Sequence, residues 1–142
     1  MEQVAQAVEH AQAHTLGPRL AADVVAMAAG AGIALDYSPG SLALVDRIID
    51  GLRRTRPPAG ESVPPALRAF GAYTGEILHR SGKAVWVDFD AAQRDSFGQP
   101  FGVRTVDGRL WNPLGKAVKR YQIGNGESLR LFYLTVAGST QG

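Results

Sequence analysis

The feature that most restricts how this chain can fold is a change in the period of its apolar residues. Up to about residue 80 they recur at helical spacing, from 84 to 112 they alternate every second residue, and beyond 113 helical spacing returns. A helical stripe and a sheet face can each bury their apolar side only against another element. The pattern therefore predicts an α+β fold: a helical N-terminal half packed on a small antiparallel three-stranded sheet, closed by one or two C-terminal helices. At 142 residues one such core suffices. Residues 1–142 are read as a single domain, with Ala-rich helices over 1–32, a helical pair over 33–80, the sheet over 84–112 and C-terminal helices over 113–137.

Val4, Ala7, Val8 and Ala11 form a first stripe, predicted to end near His14, ahead of Gly17-Pro18. Pro18 suits the first turn of a second helix carrying Leu20, Val24, Met27 and Ala28, which Gly30-Ala31-Gly32 stops. Ser38 before Pro39 is a helix start, because a serine hydroxyl can accept from a free N–H and proline needs no partner there. Leu42, Val45, Ile48, Ile49 and Leu52 then share one face, and Asp46, Arg47, Asp50 and Arg54 the other. The prolines between 55 and 65 enforce a loop. In the following helix Leu67, Phe70, Thr74, Ile77 and Leu78 are placed inward. Gly71 and Gly75, a turn apart, weaken that helix, so another backbone is expected close against them.

In the alternating stretch Val85, Val87 and Phe89 fall on one side, and Trp86, Asp88 and Asp90 on the other, read as the open face. Residues 91–99 read as a polar loop, and 101–112 as a hairpin turning at Asp107-Gly108. Leu114, Ala117, Val118 and Tyr121 then form a helical stripe opposite Lys116, Lys119 and Arg120, broken at Gly124-Asn125-Gly126. Residues 129–136 are read as a helix, with a strand left open because the run is short and rich in aromatic and β-branched residues. Gly138 to Gly142 is expected to fray.

Composition removes several kinds of chemistry. With no cysteine there is no disulfide, no thiolate nucleophile and no Cys-based metal centre. Fifteen basic against thirteen acidic residues leave a net charge of +2, a weak case for nucleic acid. Charge is nevertheless uneven, since Arg104, Arg109, Lys116, Lys119 and Arg120 face only Asp107 within 104–120. Met1-Glu2-Gln3-Val4 lacks the basic start of a secretory signal, and no apolar run reaches membrane-spanning length, so a cytoplasmic protein without membrane contact is expected.

No constellation for catalysis or metal binding assembles. Glu76 and His79 have the i, i+3 spacing of carboxylate di-iron bundles, but such a site needs a second pair. His10 and His14 are spaced for zinc, yet Ala11 stands where a zincin carries its glutamate. Asp88 and Asp90 could raise one another's pKa or hold a hard cation, though alternating polar residues suit an open sheet face anyway. Neither a nucleophile elbow nor a phosphate loop is present. No catalytic residue, metal or cofactor is assigned.

What remains is a surface. Trp86, Arg104, Arg109, Trp111, Asn112, Lys116, Lys119 and Arg120 join the hairpin to a basic helix, and tryptophan with arginine is what protein interfaces select. The plainer account puts both tryptophans partly in the core and the basic residues on a solvated helix face. An alternative is a small-molecule pocket between helix 65–80 and the sheet, lined by Tyr73, Glu76 and Asp88 with Trp86 and Arg104.

The runs Leu35-Asp-Tyr-Ser-Pro-Gly-Ser-Leu, Gly71-Ala-Tyr-Thr-Gly-Glu-Ile-Leu and Trp111-Asn-Pro-Leu-Gly-Lys-Ala-Val-Lys-Arg resemble a pattern in small bacterial cytoplasmic proteins grouped as domains of unknown function. The resemblance spans most of residues 33–134. It implies a bacterial, cytoplasmic, single-domain protein in which Asn112-Pro113-Leu114 opens a helix, and it transfers no active residues. The function expected on these grounds is a non-catalytic adaptor or accessory module, such as the neutralising partner of a toxin, that binds another protein through its tryptophan and basic residues. A homodimer is left open.

Overall fold

The computed structural model describes residues 12–55 and 63–139. Its described helices are α1 (Ala13–Gly30), α2 (Leu42–Arg54), α3 (Ala66–Arg80), α4 (Ala91–Phe97), α5 (Pro113–Ile123) and α6 (Leu129–Ser139). The strands β1 (Ala84–Asp88), β2 (Phe101–Thr105) and β3 (Leu110–Trp111) form one antiparallel sheet in that order. This is the α+β fold the apolar periods predict, with helices before and after a three-stranded sheet.

Helix α1 departs from expectation. It runs unbroken through Gly17-Pro18, where the sequence predicts one helix to end and another to start. Pro18 forfeits one bond to the preceding turn, but the sheet supplies a start further upstream. Asp88 Oδ1 accepts from the backbone N–H groups of Gln12 and Ala13, each at 3.0 Å, and so caps the helix with a negative charge. The stripe from Val4 to Ala11 lies outside the described residues, as do the loop residues 56–62 and the tail 140–142.

Before α2 the chain makes a 3-10 turn at Pro39–Ser41, capped by Ser38 Oγ on the N–H of Ser41, so the predicted serine cap holds. Leu42, Val45 and Ile49 are buried. Helix α3 is the axis of the molecule, buried from Ala69 to Leu78 and packed against α1, α5 and β1. Its glycines are needed, against the expected backbone at Gly71 but against a side chain at Gly75. A Cβ on Gly71 would sit 2.5 Å from the Leu114 Cα of α5, and one on Gly75 would sit 2.6 Å from the indole of Trp86. Gly17 of α1 also lies against that same indole, which is why the chain keeps a glycine in mid-helix.

Residues 91–97 correct the expected polar loop. Asp90 Oδ1 accepts from Gln93 N at 2.8 Å and Gln93 Oε1 accepts from Asp90 N at 2.9 Å, a reciprocal capping box that starts α4, and Gly98 closes it at φ 71°. The hairpin is present. Its loop is Val106-Asp107-Gly108, with Gly108 at φ 87°, its N–H on the Thr105 carbonyl at 2.9 Å, and Thr105 N–H on the Arg109 carbonyl at 3.0 Å. That is a three-residue turn with a left-handed glycine and not a two-residue one. Asn112 accepts from Gly115 N to start α5 at Pro113, and 129–136 is helical, as read.

Candidate binding surface

Register decides which side of the sheet does what. Trp86 pairs with Val103 and Ala84 with Thr105, and all of these are buried against the helices, together with Phe101. The face carrying Trp86 is therefore the inner one, correcting its assignment to the open face. The indole lies in the slot between Gly17 and Gly75, and its Nε1 donates to Glu76 Oε1 at 3.0 Å. Glu76 Oε2 accepts from Arg80 Nε at 3.0 Å, and the Arg80 guanidinium stacks 3.5 Å above the Tyr37 ring.

Next to this group, Tyr73 Oη accepts from Tyr37 N at 2.8 Å and shares a 2.6 Å hydrogen bond with Ser41 Oγ. Burial pushes its phenol pKa up. These bonds tie α3 to the segment before α2 and to β1, and they occupy the polar atoms proposed to line a pocket. Asp88 points elsewhere, to the start of α1, so Tyr73, Glu76 and Asp88 do not converge on a common cavity. Among the described residues no group of three or more His, Asp or Glu side chains is placed to hold a metal ion.

The tryptophan and basic set is likewise divided. Trp111 is half-buried, its Nε1 on Thr105 Oγ1 at 3.0 Å and its ring edge-on to Phe132 of α6. Asn112 is a structural cap whose Nδ2 also donates to the Phe97 carbonyl. Lys116 pairs with Glu127, and that pairing holds the Glu127 carboxyl below its ordinary pKa. Lys119 is exposed on α5. Arg120, expected on the solvent side, is 2% exposed and bonded to Asp46 (3.0 Å) and Asp50 (2.8 Å) of α2. Asp46 also accepts from Ser128 Oγ and the N–H of Leu129, capping α6, so it is not the free polar residue its place on α2 suggests.

Of that set Arg104 stands on the outer face of the sheet, whereas Arg109 precedes β3 opposite Thr105. Two-residue parity places Val85 and Val87 on that outer face from β1, Arg104 from β2 and Leu110 from β3, with Val85 paired to Arg104 and Arg104 to Leu110, while Lys83 just before β1 and Val106 in the hairpin loop border the same side. One end of this face is covered. Phe89 lies over Gly102 and stacks on Phe97 of α4 at 4.7 Å. The other end is open: Val85 is 45% and Val106 84% exposed, and a shallow cleft of about 430 Å3 runs between them, bordered by His79, Lys83 and Arg104. His79 Nδ1 lies 3.3 Å from the Ala84 carbonyl, which seats the imidazole at the rim.

Electrostatics separates these cations. Arg109 is 3.6 Å from Asp107, whose carboxyl is held below its usual pKa by the Thr105 hydroxyl and then by the Arg109 N–H. Lys83 and Arg104 have no carboxylate partner among the described residues. The open end thus offers unpaired positive charge beside exposed β-branched side chains. At its edge the Thr105 hydroxyl donates to Asp107 and accepts from Trp111.

Fold and surface together define a small α+β domain whose sheet is covered by helices on one face and half covered on the other. No family model, curated protein or solved structure matches the chain. Of the residues that border this cleft, the tryptophan and basic set contains Arg104 alone, and Lys83, Val85 and Val106 do not belong to it. The signal was available, since a tryptophan in an alternating strand belongs to the buried face by size and consigns Lys83 and Val85 to the other.

Proposed function

We propose that this domain is a non-catalytic protein-binding module of the adaptor or accessory kind, acting through the open half of the outer sheet face. The observation that carries it is the cleft between Val85 and Val106, where apolar side chains stand exposed beside Lys83 and Arg104 with no element of the described chain packed over them. Exposed apolar patches rimmed by charge mark interaction sites more often than they mark idle surface. The absence of cysteine suits a cytoplasmic setting, in keeping with the bacterial proteins the motifs resemble.

The test is co-purification from the native host with wild-type protein and with Val106→Asp, each checked for an unchanged circular dichroism spectrum and melting temperature. A partner retained by the wild type and lost by Val106→Asp is the expected result. A partner held equally by both contradicts the reading. Self-association has its own support in Leu131 and Leu134, 58% and 49% exposed and three residues apart on α6. Sedimentation of Leu131→Glu against wild type distinguishes it, because a dimer built there dissociates while one absent shows no change.

A further inference from the structure

We infer that the partner is an acidic, extended segment of another protein with apolar side chains interleaved among its carboxylates, laid across Lys83, Val85, Arg104 and Val106. This rests on the binding reading above and adds the chemistry of what is bound. Lys83 and Arg104 flank the cleft without a carboxylate partner among the described residues. Their complement is anionic.

Charge alone would admit a nucleic acid, but the other residues of the face argue against one. Val106 and Val85 stand beside the cations, where a phosphate backbone would leave them unpaired with anything apolar. Single strands are held by bases stacked on aromatic rings. Both indoles of the sheet instead turn inward, Trp86 to Glu76 and Trp111 to Thr105. A second copy of the chain is also a poor occupant. A two-fold contact sets a patch against itself, which would gather Lys83 and Arg104 of both copies with no carboxylate between them. An extended segment presents its side chains to one side at every second residue, so carboxylates and apolar side chains that take turns at those every-second positions meet the cations and valines together.

The experiment is fluorescence anisotropy on the full chain with a labelled Glu–Val peptide of about twelve residues, built as Glu-Ser-Val-Ser repeats so that both side chains fall on one side, and long enough to cross the sheet. A Glu–Ser peptide, a Lys–Val peptide and a single-stranded DNA of matched charge are the comparators. The Glu–Val peptide is expected to bind most tightly. Arg104→Glu and Val106→Asp should each weaken it about tenfold or more, which is about 1.4 kcal/mol, and added salt should weaken it further. Equal binding of the Lys–Val peptide, tighter binding of the DNA, or indifference to Arg104→Glu overturns the inference. So does self-association of the wild type that either variant abolishes. A native partner lost by Val106→Asp but kept by Arg104→Glu would leave the binding face standing and refute only the acidic partner, whereas one kept by both variants removes the face as well.

Discussion

Trp86 and Val85 are adjacent on β1 and live in opposite surroundings. Trp86 is wedged between glycines of α1 and α3 with its N–H on a buried carboxylate, while Val85, one pleat away, is 45% exposed beside unpaired cations. The two faces of one strand thus divide the work. The inner face fixes the helices to the sheet and leaves its polar groups no freedom to act on a ligand. The open half of the outer face, unlike the half under Phe89 and α4, contributes little to holding the fold, which leaves its residues free to be selected for contact with something else.

The largest expected effect breaks the inner side. Trp86→Ala empties the slot between α1 and α3 and should cost about 3–5 kcal/mol in urea unfolding, whereas Val85→Ser, one residue away, should stay within about 0.5 kcal/mol. Similar losses for the two would erase the distinction between the faces. Gly71→Ala ranks next. Its methyl would press on the Leu114 backbone, which cannot rotate aside, so about 1–3 kcal/mol should be lost, and a neutral result would mean that α3 and α5 are not so closely packed.

A smaller effect comes from pH. Burial raises the Tyr73 pKa in the folded state, so the folded chain holds that proton where the unfolded chain has lost it. Stability from this source is complete below the unfolded tyrosine pKa of 10.0 and falls as pH rises through the folded value. The slope should therefore steepen at alkaline pH in the wild type and flatten in Tyr73→Phe. Identical slopes would show that the inner hydroxyl is not confined as described.

Much of the fold was legible in the sequence because the signals that carry it are local. Ser38-Pro39 capped a helix, Asp107-Gly108 turned a hairpin, and Gly71 with Gly75 announced close packing, each through chemistry confined to a few neighbours. The errors came where a distant partner decided. Pro18 reads as a break unless Asp88 is known to cap the helix from the sheet. Arg120 reads as solvent-facing because it is charged, although its spacing from Ala117 places it in the buried stripe and Asp46 with Asp50 meet it there. Helix α4 was a lapse of another kind, since Asp90, Gln93 and Gly98 spell a capped helix within the sequence. For the binding surface, the alternation of β1 is plain in the sequence but its faces are not, because Asp88 suggests the solvent side while its carboxylate in fact caps α1 from the inner face. That suggestion moves Trp86 out and leaves Lys83, Val85 and Val106 outside the tryptophan and basic set.

Hydrogen exchange measured by mass spectrometry, on the free protein and on the protein bound to its captured partner, tests the division between the faces most directly. The prediction is added protection over residues 83–87 and 102–108, with the amides of α6 around Leu131 and Leu134 unchanged. Protection concentrated on α6, with the sheet unaffected, would contradict the assignment of the outer sheet face as the surface through which this domain works.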